Sequence, residues 1–280
     1  MKNAMQLKAY VKNLAKEKHI SAQIVLQNYM LERLLERISL SKYHDNFILK
    51  GGFLLAAMVG LDTRATMDMD ATIKGLPVTK ETMSQMFIDV CKIHIDDDIN
   101  FIFNGIYDIR EDDEYGGYRV SLSGNYPPMS VPLKIDITTG DKITPREMVY
   151  TFNLMFEERS INILAYTVET ILAEKLETII SRGDQNTRHR DFYDVYILNT
   201  LQKKNIDNQV LKEALAATVK KRGTENIIGN YVEILETIIN SPAMRNQWTR
   251  YQKEFEYAKD IRFEDACEVV RELIKLTEEI

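Results

Sequence analysis

The sequence predicts an α+β fold in which a mixed sheet flanked by helices precedes a helical bundle. In the first half of the chain, apolar and polar residues alternate over short runs, as is typical of half-buried strands. From about Val168 the apolar residues recur every 3.6 residues or so, which is typical of amphipathic helices. A length of 280 residues also favours about two domains. We therefore predict an α/β domain at 1–160 and a helical domain at 161–280, joined near 155–166.

Local signals predict the elements of the first domain. Residues 4–38 are expected to form two helices, with Ser21 as the N-cap of the second. Within 47–58 a glycine pair separates a short strand from an apolar helix, and Thr79 begins a further helix. Strands are predicted over 64–73 and over 99–138, the latter interrupted by a turn at Gly116-Gly117.

The second domain is predicted to be helical throughout. Gly223 punctuates the pattern between two helices, and Ser241-Pro242 begins another, because proline is favoured at the first helical position. The predicted helices span 167–182, 188–201, 207–222, 224–240, 243–258 and 263–279.

Composition narrows the class of protein. A hydrophobic content of 45% is enough for a sizeable core. The formal net charge of −6 excludes a basic field over the whole molecule, so any nucleic-acid binding must use a local patch. Cys91 and Cys267 lack a CxxC partner, so we expect reduced thiols and neither disulfides nor zinc. The sequence shows no signal peptide and no bilayer-spanning run. We expect a cytoplasmic protein and, by default, a monomer.

Residues 64–73 alternate strictly between two faces of the predicted strand. Asp68 and Asp70 fall on the same face. Two such charges ~4 Å apart, at an effective dielectric of ~20, repel by about 4 kcal/mol. A divalent cation or a basic side chain between them would offset this repulsion. The polar face carries Thr66, Asp68, Asp70 and Thr72, and the apolar face carries Met67, Met69, Ala71 and Ile73.

A third carboxylate lies on a later predicted strand. Asp136 alternates with apolar residues that include Leu133 and Ile135. If this strand is a neighbour of the first, Asp136 joins Asp68 and Asp70. Three carboxylates that offer only oxygen donors suit Mg²⁺ or Mn²⁺.

A glycine turn precedes both carboxylate strands. After Lys50, the pair Gly51-Gly52 opens an apolar helix, and such a turn lets backbone N–H groups approach a phosphate. The order of glycine turn, helix, D-x-D strand and later aspartate strand is typical of a metal-dependent nucleotidyltransferase.

Four motifs together resemble one known family. Lys50-Gly51-Gly52 with Arg64-x-Thr66-x-Asp68-x-Asp70 resembles the first motif of the AbiEii/AbiGii-type toxin nucleotidyltransferases, in the DNA polymerase β-like superfamily. The resemblance runs from about Phe47 to Tyr196. Gly-Gly stands where many superfamily members carry Gly-Ser, which removes one hydroxyl and leaves the backbone donors. The later motifs are Leu133-Lys-Ile-Asp136, Ala173-Glu-Lys-Leu-Glu177 and Arg188-x-Arg190-Asp191-Phe-Tyr-Asp194.

The resemblance implies a toxin that moves a nucleoside monophosphate from a triphosphate, such as GTP or a pyrimidine nucleotide, to an acceptor such as a tRNA 3′ end. It also implies Mg²⁺ or Mn²⁺, an antitoxin from the same operon, and a role in abortive responses to phage. The implied catalytic residues are Asp68, Asp70, Asp136, Lys175 and Asp191, with the first three as metal ligands. The implied nucleotide-binding residues are Lys50, Gly51, Gly52, Arg64, Thr66, Lys175 and Arg190.

Several of these residues also have a structural interpretation. Lys175 lies in an apolar row of its helix, so it either binds phosphate at a site between the domains or pairs with Asp191 or Glu177 to hold helices together. Arg64 either contacts substrate or pairs with the carboxylates, and Lys50 could be an ordinary lysine at a strand end.

The surface charges leave alternatives open. Arg182, Arg188, His189 and Arg190 cluster at one helix junction and could line an RNA or nucleotide path. The acidic runs 96–98 and 112–114 are predicted to be solvated loops. Two other functions remain compatible with the pattern. They are a catalytically silent module that binds nucleotide or RNA, and a metal-dependent nuclease.

Overall fold

The computed structural model describes residues 4–109 and 117–278. The chain divides into two compact units, Met1–Asp141 with Met148–Ala165, and Lys142–Glu147 with Tyr166–Ile280. The predicted acidic run at 112–114 and Gly116 of the predicted turn lie outside the described residues. No helix in the described part of the chain is long and apolar enough to cross a membrane.

The first unit is built on a mixed sheet. Among the described residues the sheet has seven strands in the order β3-β4-β5-β2-β1-β7-β6. β2 and β5 are parallel neighbours, as are β1 and β7, and the other neighbouring pairs are antiparallel. The strands are β1 (Phe47–Lys50), β2 (Met69–Ile73), β3 (Asn100–Asp108), β4 (Tyr118–Tyr126), β5 (Met129–Thr139), β6 (Met148–Asn153) and β7 (Ser160–Ala165).

Helices α1 to α4 belong to this unit. The predicted cap at Ser21 is present, since the Ile24 N–H donates to its hydroxyl at 3.2 Å. The Thr79 hydroxyl likewise accepts the Thr82 N–H, so this helix begins where the sequence predicts. The four helices are α1 (Ala4–Glu17), α2 (Ala22–Ser39), α3 (Gly51–Val59) and α4 (Lys80–Cys91).

The second unit is helical, as predicted, with two corrections. The helix predicted at 243–258 ends at Glu254, and a 3₁₀ turn follows it. The helix predicted at 224–240 is two helices, because the chain turns at Gly229 and Asn230 and starts a new helix at Tyr231. The helices are α5 (Val168–Arg182), α6 (His189–Gln202), α7 (Asn208–Arg222), α8 (Glu225–Ile228), α9 (Tyr231–Asn240), α10 (Pro242–Glu254) and α11 (Phe263–Glu278), with 3₁₀ turns at 183–185, 203–205 and 256–258.

Two strands lie where the sequence predicted none. β6 and β7 pair with each other, and β7 also lies parallel to β1, far away in sequence. The predicted domain boundary at 160/161 therefore falls inside β7, and the observed units divide after Ala165. Residues 142–147 join the second unit because Thr144 hydrogen-bonds two threonines at the start of α5. Its N–H donates to the Thr170 hydroxyl at 3.1 Å, and its carbonyl accepts from Thr167 at 3.1 Å.

Candidate active site

The strand that carries the predicted D-x-D motif is shorter than expected. β2 begins at Met69, so Asp70 lies on the strand and Asp68 lies just before it, exposed to solvent. The prediction that the strand starts near residue 64 is wrong. Asp68 and Asp70 are close in sequence but sit in different backbone environments.

Side chains from α2 explain why the strand starts late. The Asn28 amide donates to the Thr66 carbonyl at 2.7 Å, and the Gln27 amide donates to the Met67 carbonyl at 3.1 Å. Gln27 also donates to the carbonyl of Pro132, on β5, at 3.0 Å. Both side chains are buried on α2. Sequence analysis missed these anchors, although adjacent polar residues in a buried helix are a usable signal.

The parallel pairing of β2 and β5 brings two predicted site residues together. Asp70 and Asp136 are direct partners in the register, on strands that lie roughly 4.8 Å apart. Lys50, at the end of β1, is the register partner of Asp70 on its other side. Two carboxylates and the glycine turn after Lys50 therefore meet on the central strands of the sheet, where β1 ends and β2 begins.

The Asp70 carboxylate rests directly on the glycine turn. A Cβ atom built on Gly51 would lie 2.0 Å from Asp70 Oδ2, and Gly51 has a φ of +68°, which favours glycine. The Gly52 N–H, at the start of α3, donates to this carboxylate. Burial raises the pKa of Asp70, and the nearby Asp136 charge raises it further, while Lys50 and the Gly52 N–H act in the opposite direction.

Arg64 and Thr66 pack over the second glycine. Arg64 is buried, and its Nη1 donates to the Ala65 carbonyl at 2.6 Å. A Cβ on Gly52 would lie 3.0 Å from Thr66 Oγ1 and 3.5 Å from Arg64 Nη2. Four predicted nucleotide-binding residues, Gly51, Gly52, Arg64 and Thr66, are thus close together around the first turn of α3.

An arginine that sequence analysis missed holds Asp136. Arg119 on β4 is the antiparallel register partner of Asp136 and binds it with both arms of its guanidinium group. Nε lies 2.7 Å from Oδ1, and Nη2 lies 2.7 Å from Oδ2. Counting back from a tight turn at Pro127-Pro128 would have predicted this pair, but the sequence analysis did not recognise that turn.

Lys50 forms an ion pair and a hydrogen bond within the first unit. Its ammonium group lies 2.6 Å from Asp141 Oδ2 and 2.7 Å from the Thr138 hydroxyl. The Asp141 side chain is nearly fully buried. Lys50 is therefore part of a buried ion pair, and Asp141 is a further residue that sequence analysis missed.

The carboxylates suit a hard divalent cation in their donor chemistry. Asp70 and Asp136 are adjacent and offer oxygen donors. The pKa of Asp70 is raised first by burial and then by the Asp136 charge, and a cation would offset both effects. Within residues 4–109 and 117–278, no three His, Cys, Asp or Glu side chains are arranged as a metal-ligand group. Arg119 binds both oxygens of Asp136. Asp68 is exposed before the strand, and its charge contributes to the raised pKa of Asp70.

The predicted residues of the second unit form an ion cluster within that unit. Lys175 Nζ lies 2.7 Å from Asp191 Oδ1 and 2.7 Å from Asp194 Oδ2, and Arg188 Nε lies 3.0 Å from Asp191 Oδ2. Glu177, the other predicted partner of Lys175, is paired with Arg222. The structural alternative of a Lys175–Asp191 pair is thus present. Asp194, which the sequence analysis placed in the fourth motif without giving it a role, is a second partner of Lys175.

Charge and burial in this cluster favour a paired lysine. Burial lowers the pKa of Lys175, but the Asp191 and Asp194 carboxylates outweigh it, so the pKa is raised overall. The predicted basic patch nearby is only partly exposed. Arg190 is exposed, whereas His189 is buried against Phe192 and Phe263.

Replacing Lys175 with methionine is expected to lower the free energy of unfolding by about 3–5 kcal/mol, because the buried carboxylates of Asp191 and Asp194 lose the ammonium group that they share. Asp191 keeps its contact with Arg188. Urea denaturation would measure this. Lys220→Met is the matched control, since Lys220 is exposed at the end of α7. Equal stability of the two variants would contradict the structural role of Lys175.

The chain is similar to known proteins in sequence and in structure. Residues 33–269 match the model of the family described as nucleotidyl transferase AbiEii toxin, type IV TA system. No curated protein matches the chain. A proposed nucleotidyltransferase from H. pylori is similar in structure, with a TM-score of 0.51 and 17% identity over 93% of this chain and 98% of that chain.

JHP933 from Helicobacter pylori is similar as well, with a TM-score of 0.50 and 16% identity over 92% of this chain and 95% of that chain. At these identities the two structures support the fold alone. The family match extends over most of the chain, so it confirms the resemblance drawn from the motifs. The chain belongs to the AbiEii nucleotidyltransferase toxin family of type IV toxin–antitoxin systems, whose members use a nucleoside triphosphate and are paired with an antitoxin.

Proposed function

We propose that this toxin transfers a nucleoside monophosphate to RNA, with a tRNA 3′ end as the acceptor, and releases pyrophosphate. The observation that carries the proposal is the pairing of Asp70 with Asp136 directly beside the glycine turn at the start of α3. Carboxylates at a phosphate-binding turn are what a metal-dependent phosphoryl transfer requires.

Asp70 and Asp136 would hold Mg²⁺ or Mn²⁺, with Asp68 as the third carboxylate. When bound, the cation would offset charge on the triphosphate and on the reacting oxygens. The absence of a side chain on Gly51 lets the Asp70 carboxylate rest on the first turn of α3, so a metal-binding carboxylate lies beside the helix start that we propose faces the triphosphate. Lys50, Arg64 and Thr66 border the same turn and are proposed to position the nucleotide.

The residues of the second unit have proposed roles as well. Arg190 is exposed and offers a local positive charge for RNA phosphates on a chain of net charge −6. The roles of Lys175 and Asp191 in binding the nucleotide stay predictions. Any loss of activity on changing Lys175 has to be read together with the loss of stability expected above.

Membership of the toxin family supports a proposal about the wider biological role. We propose that the toxin acts in an abortive response to phage and is restrained by an antitoxin from the same operon. The substrate is proposed to be GTP or a pyrimidine triphosphate, and each nucleotide needs a separate test.

The purified protein should be incubated with Mg²⁺, total cellular RNA and each α-³²P-labelled ribonucleotide in turn. We expect label to appear on a tRNA-sized band with one nucleotide, accompanied by pyrophosphate. Label on the protein, or on no acceptor with any nucleotide, would overturn RNA as the acceptor. RNA cleavage without pyrophosphate would favour a nuclease instead.

A further inference from the structure

Arg119 has a contact with the candidate site that the proposed function does not use. It lies on β4 directly across from Asp136, and both of its contacts with that carboxylate are 2.7 Å long. The side chain of Arg119 is 44% exposed and that of Asp136 is 19% exposed. This arrangement is a two-armed guanidinium–carboxylate pair, the strongest geometry that an arginine can adopt with an acid.

A metal ion at Asp136 would need the oxygens that Arg119 already binds. A hard divalent cation is held by carboxylate oxygens at close range, and both oxygens of Asp136 accept hydrogen bonds from the guanidinium group. The two cations would also repel each other across one carboxylate. Simultaneous binding of Arg119 and a divalent cation to the Asp136 carboxylate is therefore unfavourable.

Arg119 can leave without disturbing the core. Its side chain is long and nearly half exposed, so the guanidinium group can turn into solvent. Asp70 and Asp136, in contrast, are fixed by the register of β2 and β5. The backbones of the two acids are thus held in register, whereas the guanidinium group lies at the end of a long and partly exposed side chain.

We propose that Arg119 and a divalent cation compete for Asp136, so that Arg119 neutralises this carboxylate in the metal-free protein and yields it when the metal binds. The inference rests on the metal-binding role of Asp136 in the proposed function. It makes Arg119 a regulator of metal affinity and not a ligand of the metal.

If Arg119 and the metal compete for Asp136, removing Arg119 should change the stability of the metal-free protein and its metal affinity in opposite directions. Without Arg119, the metal-free protein loses a stabilising pair between β4 and β5, and the site becomes more negative. Stability without metal should therefore fall slightly, while metal affinity should rise. A purely structural role for Arg119 would lower both.

The test is the binding of Mn²⁺, followed by the electron paramagnetic resonance signal of the unbound ion. We expect Arg119→Gln to bind Mn²⁺ about fivefold more tightly than the wild type, the upper range for a partly exposed ion pair. Lys134→Gln is the matched control. Lys134 is exposed two residues before Asp136, so this variant removes the same charge from the same face of β5 without removing the pair. We expect it to change the affinity much less.

A second pair of variants tests whether Arg119 affects Mn²⁺ binding through the Asp136 carboxylate. In an Asp136→Asn background, adding Arg119→Gln should no longer tighten Mn²⁺ binding. The proposal is overturned if Arg119→Gln binds Mn²⁺ no more tightly than Lys134→Gln, if tightening persists in the Asp136→Asn background, or if no variant binds Mn²⁺ at all. Tighter binding without transfer of nucleotide to RNA would keep this inference and reject only the proposed acceptor.

Discussion

Replacing Asp70 with asparagine is expected to lower the rate of nucleotide transfer by about a thousandfold, because a carboxylate that binds the cation contributes several kcal/mol to charge stabilisation in the transition state. The fold should survive, since asparagine has nearly the same shape and can still accept the Gly52 N–H. The measurement is the initial rate of label transfer with the variant and the wild type at equal concentration.

Asp45→Asn is the matched control, because the Asp45 side chain is 78% exposed. It should transfer nucleotide at the wild-type rate. Wild-type turnover by the Asp70 variant would remove Asp70 from the mechanism, and with it the metal site proposed at β2 and β5.

For Asp70→Asn we also predict how the free energy of unfolding depends on pH. Burial and Asp136 raise the pKa of Asp70 in the folded protein. An acid whose pKa is raised on folding holds its proton more tightly when folded, so its charged form destabilises the fold above that pKa. That destabilisation is lost as the pH falls through the folded pKa. Without divalent ions, Asp70→Asn should therefore be at least as stable as the wild type at pH 7, with an advantage that shrinks in acid.

Replacing Gly51 with alanine is expected to be the most damaging change at the glycine turn. The new Cβ would lie 2.0 Å from Asp70 Oδ2, and the backbone φ of +68° is already unfavourable for alanine. Strain of about 1 kcal/mol from the backbone and about 1–3 kcal/mol from overpacking should lower the free energy of unfolding. Transfer activity should fall as well, because the Asp70 carboxylate must move.

The variant Gly140→Ala separates the backbone strain from the overpacking as causes of lost stability. Gly140 has a similar φ of +75°, and a Cβ there would meet nothing within 4 Å. This control should show the backbone cost alone and keep its activity. Urea denaturation and label transfer on both variants give the comparison. If the two variants lose the same stability and keep the same activity, close contact between Gly51 and Asp70 does not shape the site.

Local signals in the sequence predicted features that depend on few neighbouring residues. Ser21 and Thr79 were predicted as helix starts because a hydroxyl that accepts an N–H within the next turn is a contact within three residues. Gly51-Gly52 was predicted as a turn for a similar reason. The alternation around Asp70 and Asp136 predicted two strands, and their adjacency was stated only as a condition.

Local sequence signals predicted the ends of strands, and strands with distant partners, less well. The sequence placed the start of β2 at residue 64, because alternation continues through the loop that Gln27 and Asn28 hold. It also missed β6 and β7. β7 is stabilised by β1, which is more than a hundred residues earlier and gives no signal in a short window.

The partners of the charged residues were decided by the tertiary structure. Asp141 meets Lys50 across 91 residues, and Arg119 meets Asp136 because a hairpin sets the register of β4 against β5. The sequence by itself determined the family, the two carboxylates and the glycine turn, since motif and alternation are local properties. Which cation neutralises each carboxylate was decided only by folding, because an ion pair depends on distance in space and the sequence records only distance along the chain.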